Sequence, residues 1–298
     1  MKNLKDLNWF RINSVCKYFF DITDHNQLKE IIELSKKLNK KIFILGEGSN
    51  ILLNENLMDY IVIKFSNSNI NILDNSIIEV DSGLKFDKFI DITLKKNLVG
   101  LENFSLIPGN VGGVTFMNIH YKEFYLSDFI EYIDVFKISS SSILRLNKNQ
   151  IDYSYTKNIF KTSMDYIIFR VGFKLEHKKD IKDNIHKRTN IINLRKIKYP
   201  SSNTCGCFFY NIENLKGKEK SMGYQIEKLN IDNLFNFNNV KLFKNHKNMF
   251  VTNDNCKSSE ILELAIFISK LLVKKINYHP KAECRLIGFD DNKISDLV

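Results

Sequence analysis

The sequence predicts an α+β fold in which a mixed N-terminal region precedes a separate C-terminal part. Three observations predict it. Short apolar runs and segments of helical period alternate through the first half of the chain without settling into one class. Two glycine-rich stretches, Gly46–Asn50 and Pro108–Gly113, each follow an apolar segment. Residues 176–190 are polar and charged, and mark a boundary before the last third of the chain.

Residues 15–22 read as the first strand. Asp24 and Gln27 have the spacing of a capping box, and Leu28, Ile31, Ile32 and Leu38 follow at helical spacing. Ile42–Leu45 is an apolar run that reads as a buried strand. It leads straight into Gly46, Glu47, Gly48, Ser49 and Asn50. Glycine admits φ > 0 there and lets the backbone approach a guest closely. Successive backbone N–H groups in such a turn form an anion-binding nest, suited to a phosphate or diphosphate. An ordinary strand-to-strand turn is equally consistent with these residues. The dinucleotide fingerprint G-x-G-x-x-G is not met, because the third glycine is missing and Ile51-Leu52-Leu53 stands where a helix must start. Tyr60–Phe65 is the next strand and completes a β-α-β-β unit.

Ile77–Asp81 reads as a strand, and Phe86, Phe89, Ile90, Thr93 and Leu94 give a helix. Pro108-Gly109 is then a turn by composition, and Gly112-Gly113 supplies a second wall poor in Cβ atoms. Two such loops are able to clamp one extended ligand from two sides; two unrelated turns are the plainer reading. Strands are expected at 130–137, 142–146 and 166–175. The basic run Lys187, Arg188, Arg195, Lys196 and Lys198 reads as a solvated helix face. Cys207 follows Gly206 and precedes Phe208-Phe209, as a small core thiol or a group pointing into a site. Residues 257–276 form the clearest helix, with Ile261, Leu264, Ala265, Ile268 and Leu272 on one face. Ala282–Gly288 reads as a strand that places Glu283 and Arg285 on the same side, where a structural salt bridge would also account for them.

Composition narrows the function classes. With 298 residues there is room for two or three domains. No run of 18 apolar residues exists, so no membrane span is expected, and the polar N-terminus reads as no signal peptide. The five cysteines form no framework, which suggests a reduced, cytoplasmic setting. Cys205-Gly206-Cys207 is too short for the usual zinc spacing, so no metal is expected. The net charge of +10 is spread along the chain. That pattern fits a solvated surface and a phosphate-bearing small molecule better than nucleic acid. Glycines are only 12 in number, yet six of them, at 46, 48, 109, 112, 113 and 206, fall in three short stretches.

Taken in order, these motifs resemble those of the UDP-N-acetylenolpyruvoylglucosamine reductases. Gly46–Leu52 is similar to that family's first flavin-diphosphate loop, and Gly100–Gly113 to its second. Gly206-Cys207-Phe208-Phe209-Tyr210-Asn211 falls on the stretch that carries the family's proton donor, and Ala282–Gly288 on its terminal Glu-Val-Arg-x-Ile-Gly. The resemblance implies a two-part FAD-binding domain of the vanillyl-alcohol-oxidase (PCMH) type, at 1–67 and 68–178, followed by an α+β substrate-binding domain at 185–298. It implies FAD and NADPH as cofactors, a UDP-sugar enolpyruvyl ether as substrate, and a monomer. It implies Gly46, Glu47, Gly48, Ser49, Asn50, Pro108, Gly109, Val111, Gly112 and Gly113 at the cofactor. Cys207 is then the general acid and Glu283 its catalytic neighbour, with Arg195, Lys198, Asn211 and Arg285 toward substrate. Gly223 also matches, and His246 lies in an apolar strand and is expected to be structural. The chain departs from the family pattern at three places. Tyr155-Thr156 stands where the family has Tyr-Arg, with Lys157 next to it; Asn118–Glu123 lacks both glycines of the matching loop; Arg11-Ile12-Asn13-Ser14 stands where the family has x-Ile-Gly-Gly. A flavin-binding protein of the same fold with altered or lost activity is the alternative those departures raise.

Overall fold

The computed structural model describes residues 1–74, 76–153, 158–231 and 237–298. Two compact units emerge. One comprises Met1–Tyr18, Gly48–Asp59 and Lys196–Val298; the other comprises Phe19–Glu47 and Tyr60–Arg195. The sequence division at 1–67, 68–178 and 185–298 follows consecutive stretches, whereas these units interleave along the chain.

The unit formed by Phe19–Glu47 and Tyr60–Arg195 is built on two main sheets, beside the short pairs His120–Tyr121 with Phe124–Tyr125 and Leu98–Val99 with Glu176–His177. The smaller orders its strands Tyr18–Ile22, Tyr60–Phe65, Lys41–Leu45. The last two run parallel, with Lys41 opposite Tyr60. Helix Gln27–Leu38 connects the first strand to Lys41–Leu45 and buries Leu28, Ile31 and Ile32. Half of the expected capping box forms: Gln27 Oε1 accepts from the Asp24 N–H at 3.4 Å, but the Asp24 side chain does not cap the helix, whose N-cap position is Asn26. Asp24 instead accepts from the Asn26 N–H, closing an Asx turn ahead of the helix. The predicted strand at 15–22 is split at Lys17, because Val15–Cys16 pairs with Lys2–Asn3 while Tyr18–Ile22 joins the sheet.

The larger sheet is antiparallel, in the order Ser142–Asn147, Ile130–Lys137, Tyr166–Lys174, Ile77–Asp81, Ile70–Ile72. Alternate residues Ile78, Val80, Ile133, Val135, Val171 and Phe173 enter the core, where helix Phe86–Lys95 adds Phe86, Phe89 and Ile90. The other face carries Glu79, Asp81, Tyr132, Asp134, Arg145 and Arg170, paired across neighbouring strands. Gly172 lies opposite both Tyr132 and Glu79. A Cβ there would stand 2.4 Å from the Tyr132 ring, so the phenol crosses the sheet only because the position is glycine.

The other unit packs around Phe208, Phe209 and Phe250, with Phe208 stacked on Phe250 at 4.6 Å. Strands Val240–Phe243 and His246–Thr252 form an antiparallel pair, and Arg285–Ile287 runs parallel to Ile51–Leu53. Helix Ser258–Ile276 buries Ile261, Leu264, Ala265, Ile268 and Leu272, the face its period requires. No helix among the described residues is long and apolar enough to cross a membrane.

Candidate active site

The turn after Lys41–Leu45 leads into strand Ile51–Leu53, as the missing third glycine implies. Gly48 has φ +67°, and a Cβ there would lie 2.1 Å from the Leu7 carbonyl oxygen. The Trp9 N–H donates to the Gly48 carbonyl at 2.9 Å. Glycine at 48 is therefore demanded by the close pass of the N-terminal segment, independently of any ligand.

Gly46 lies against the second glycine stretch. A Cβ on Gly46 would come 3.0 Å from Asn110 Oδ1 and 3.7 Å from Gly113 Cα. A Cβ on Gly113 would meet the same Asn110 oxygen at 2.9 Å, and one on Gly112 would meet Ser82 Cβ at 2.8 Å. Two glycine stretches far apart in sequence thus close around Asn110 and Ser82. Gly112 and Gly113 do not form a loop wall, however. They occupy the first turn of helix Val111–Met117, because Asn110 caps it by accepting from the Gly113 N–H at 2.9 Å. Phe86 N–H donates to the Gly109 carbonyl and Gly112 N–H to the Ser82 carbonyl, which pins Pro108–Gly113 to the 82–86 segment.

The Ser82 and Thr115 hydroxyls are buried here with no hydrogen-bond partner among the described residues. Leaving such a group unsatisfied costs about 1–3 kcal/mol, so both suit a polar guest. Glu47 is held by Lys64 and Lys85 at 3.9 and 4.0 Å. Close backbone, small hydroxyls and a Cβ-free surface fit the diphosphate and polar edge of a flavin. Sequence reasoning misses Ser82, Asn110 and Thr115; the Asn before Val-Gly-Gly is the available signal for the cap.

The second set of residues converges within the other unit. Asn50 stands at the end of the glycine turn. Its carbonyl accepts from the Arg285 N–H and its side-chain amide donates to the Glu283 carbonyl, both at 3.1 Å. The N–H groups of Glu283 and Cys284 both donate to the Phe208 carbonyl, at 2.8 and 3.2 Å. Phe209 stands opposite Ala282, and Cys207 opposite Met249. The stretch read as one strand over 282–288 is regular only at Arg285–Ile287; Ala282 makes a single bridge, because its neighbours turn to serve Phe208. Asn248 is fully buried and clamps the donor segment. Its side chain accepts from Phe209 N–H at 3.0 Å and donates to Phe209 O at 2.8 Å, and its carbonyl accepts from Phe208 N–H at 2.8 Å. The sequence draws attention to His246 in this strand, and Asn248 falls within the same family-like His-x-Asn stretch without a role assigned to it.

Cys207 is half-buried, and Gly206 before it has φ +79° with open space where a Cβ would point. Burial pushes the Cys207 thiol up, and the Glu283 charge pushes it further, against the Asn248 hydrogen bond and the Lys198 charge. Burial, a hydrogen bond with Cys284 and the Glu283 charge raise the Cys205 thiol too. Tyr210 is pushed up to about 12 by burial and by Glu283. Cys205, Cys207 and Tyr210 thus hold their protons more tightly than usual.

The remaining predicted residues fall in several settings. Asn211 accepts from the Met222 N–H at 3.0 Å, at the start of helix Met222–Glu227. Gly223 in that helix faces His246, whose pKa is lowered by burial and by the Lys198 charge. Lys198 is exposed, and the Arg285 charge reaches Tyr210. In the other unit the Arg195 guanidinium lies 4.7 Å over the Tyr121 ring. Tyr155, Thr156 and Lys157 lie outside the described residues. An open groove of about 440 Å³, lined among others by Asn103, Tyr121, Lys122, His186 and Lys187, includes none of the predicted catalytic residues.

Comparison with known proteins bears on both sets. The family model of an FAD binding domain matches residues 17–147. That of the UDP-N-acetylenolpyruvoylglucosamine reductase C-terminal domain matches residues 197–287. The chain is 30% identical over 329 residues to the UDP-N-acetylenolpyruvoylglucosamine reductase of Buchnera aphidicola subsp. Schizaphis graminum, covering 96% of this chain and 95% of that one. It is 27% identical over 248 residues to the reductase of Thermosipho melanesiensis, covering 82% and 80%. In structure it is similar to the UDP-N-acetylenolpyruvylglucosamine reductase from Thermus caldophilus, with a TM-score of 0.78 at 19% identity over 96% of this chain and 97% of that one. With an FAD-binding domain followed by that C-terminal domain on an α+β fold, the chain belongs to the UDP-N-acetylenolpyruvoylglucosamine reductase family.

Proposed function

We infer that this protein is the FAD-dependent oxidoreductase that uses NADPH to reduce UDP-N-acetylenolpyruvoylglucosamine to UDP-N-acetylmuramate, in peptidoglycan precursor synthesis. The observation that carries the reading is the convergence of the Cys207, Glu283 and Asn50 segments, hydrogen-bonded to one another through the Phe208 carbonyl and the Asn50 amide. When bound, the flavin supplies hydride to the enolpyruvyl methylene carbon. The chain's own residues do the rest. Gly46–Asn50 and Pro108–Gly113 hold the diphosphate. Cys207 delivers a proton from Sγ to the carbon adjoining the methylene. Its raised pKa keeps that proton in place until negative charge develops beside it. Glu283 stands beside the developing enolate, and Arg285, Lys198, Arg195 and Asn211 orient the substrate. Cysteine in this role must be a thiol, the opposite of what a cysteine nucleophile requires.

In this reading residues 1–67 and 68–178 build the FAD-binding part and 185–298 the substrate part. The protein works as a cytoplasmic monomer, on a small molecule rather than on nucleic acid or membrane. NADPH oxidation by the purified yellow protein, with and without the enolpyruvyl substrate, is the test. Substrate-dependent oxidation is expected. Bound FAD without substrate turnover would favour the alternative, a flavoprotein that has lost the activity, which Thr156 in place of the family's arginine motivates.

A further inference from the structure

Helix Lys182–Lys198 is polar, and only Arg188 and Ile191 are buried on it. Arg188 is 7% exposed and so departs from the solvated face its sequence suggests. Its guanidinium donates to both Asp87 carboxylate oxygens, at 3.0 and 3.1 Å, and to Asp91. Asp87 Oδ1 in turn accepts from the Leu106 N–H at 2.6 Å. One turn earlier, Asn184 donates to Glu102 Oε1 at 3.2 Å, and the buried Glu102 carboxylate accepts from the Gly100 N–H at 3.0 Å. Two side chains at i and i+4 therefore grip two ends of one loop, each through a carboxylate.

That loop stores strain. Leu106 sits at φ +61°, a left-handed conformation that is unfavourable for a non-glycine residue and persists only when its surroundings impose it. The imposing group is Asp87, and Arg188 fixes Asp87 as a bidentate pair. Leu106 leads directly into Pro108–Gly113.

We propose that Asn184 and Arg188 are positioning residues for FAD, acting through Glu102 and Asp87 to hold Gly100–Gly109 in the strained shape that presents the second glycine stretch to the cofactor. This rests on the reading of Pro108–Gly113 as an FAD-binding segment. It makes no use of the catalytic residues, so it is separable from the chemistry.

The test uses the full chain, stripped of flavin and titrated with FAD by flavin fluorescence, well below the melting temperature of every variant. Amide hydrogen exchange of the apoprotein is read alongside. Arg188→Met should weaken FAD binding at least tenfold and speed exchange at the Leu106 amide, while strand Ile77–Asp81 stays protected. Arg188→Lys should recover part of the affinity, because one ammonium keeps the charge but not the fork. Lys187→Met, on an exposed position of the same helix, should bind as wild type. If Arg188→Met does not fold, Asn184→Ala carries the test, with a severalfold loss and faster exchange at Gly100. A folded Arg188→Met or Asn184→Ala that binds FAD within twofold of wild type, with unchanged loop exchange, overturns the positioning alone. A wild-type chain that takes up no FAD overturns the flavin reading and the positioning with it.

Discussion

Two regions of the molecule bury ionisable groups, and they differ in how far opposite charges answer one another. On the larger sheet, Arg145 donates to Asp134 at 2.7 and 2.8 Å and to Glu79 at 3.0 Å, while lying 3.8 Å over the Tyr132 ring. Tyr132 donates to Glu79 at 2.6 Å, and Arg170 pairs with Asp81 at 3.2 Å. Burial alone would raise Glu79, but the Tyr132 hydrogen bond and the Arg170 and Arg145 charges outweigh it and leave its pKa below the ordinary value. Charge answers charge across four strands. At the Cys207 corner burial and the Glu283 charge raise two thiols and a phenol together, with Cys284 adding to the rise at Cys205 and Glu213 to that at Tyr210. A region that balances its own charges is finished as a structure. A region that stacks up proton affinity beside an open glycine is arranged for a guest.

The largest test of that contrast is at Cys207. Cys207→Ala should leave flavin reduction by NADPH nearly intact and slow reoxidation by the enolpyruvyl substrate by ~10² to 10⁴, the usual worth of a general acid. Cys207→Ser should keep much of the rate. Glu283→Gln should slow the same half-reaction and bring the Cys207 thiol down in pKa, since its charge is the second cause of the rise. Stopped-flow traces and the pH profile of thiol alkylation read both effects. A Cys207→Ala enzyme that reoxidises at the normal rate would place the donor elsewhere.

Much of this architecture is legible in the amino-acid order itself. Helix Ser258–Ile276 and strands Tyr60–Phe65, Ile77–Asp81 and Ile130–Lys137 appear at their expected places, because each rests on a local period. The glycine stretches and the Cys207 and Glu283 segments stand out by composition and order. What stays hidden depends on partners far along the chain. Arg188 is buried by Asp87 and Asp91, about a hundred residues earlier, and Asn248 is clamped by a segment thirty-nine residues away. Gly112 and Gly113 are poor helix residues by propensity; the Asn110 cap and the contact with Ser82 override it.

The charge lattice gives a middle-sized effect. Arg145→Leu strips a shared donor from Asp134 and Glu79, both under a tenth exposed. Breaking a fully buried pair costs about 3–5 kcal/mol, but Arg145 is half exposed, so about 1–3 kcal/mol is expected. A depressed folded-state pKa stabilises fully above the unfolded carboxylate value of about 4.3, and that contribution is lost as pH falls through the folded value. The urea midpoint of Arg145→Leu should therefore drop at pH 7, and its further fall between pH 5 and 3 should be shallower than in wild type. Parallel curves at every pH would show that the lattice is decoration.

The sharpest test is Gly172→Ala, in the same energy range. The added methyl would overlap the Tyr132 ring, whose Cζ stands 2.4 Å from the new Cβ position. The ring must lift, and its hydroxyl then loses Glu79, to which it donates at 2.6 Å. Overpacking of this kind costs typically about 1–3 kcal/mol. Tyr132→Leu removes the same hydrogen bond and also the obstacle, so the double variant should be far less than additive: once the phenol is gone, the alanine meets little. Nothing at the Cys207 corner should respond, and the per-enzyme rate of both half-reactions should stay at the wild-type value in all three proteins. Additive losses in the double variant would mean that Gly172 serves something other than the passage of Tyr132. A changed rate would mean that the lattice and the catalytic corner are coupled, and that the lattice is more than finished structure.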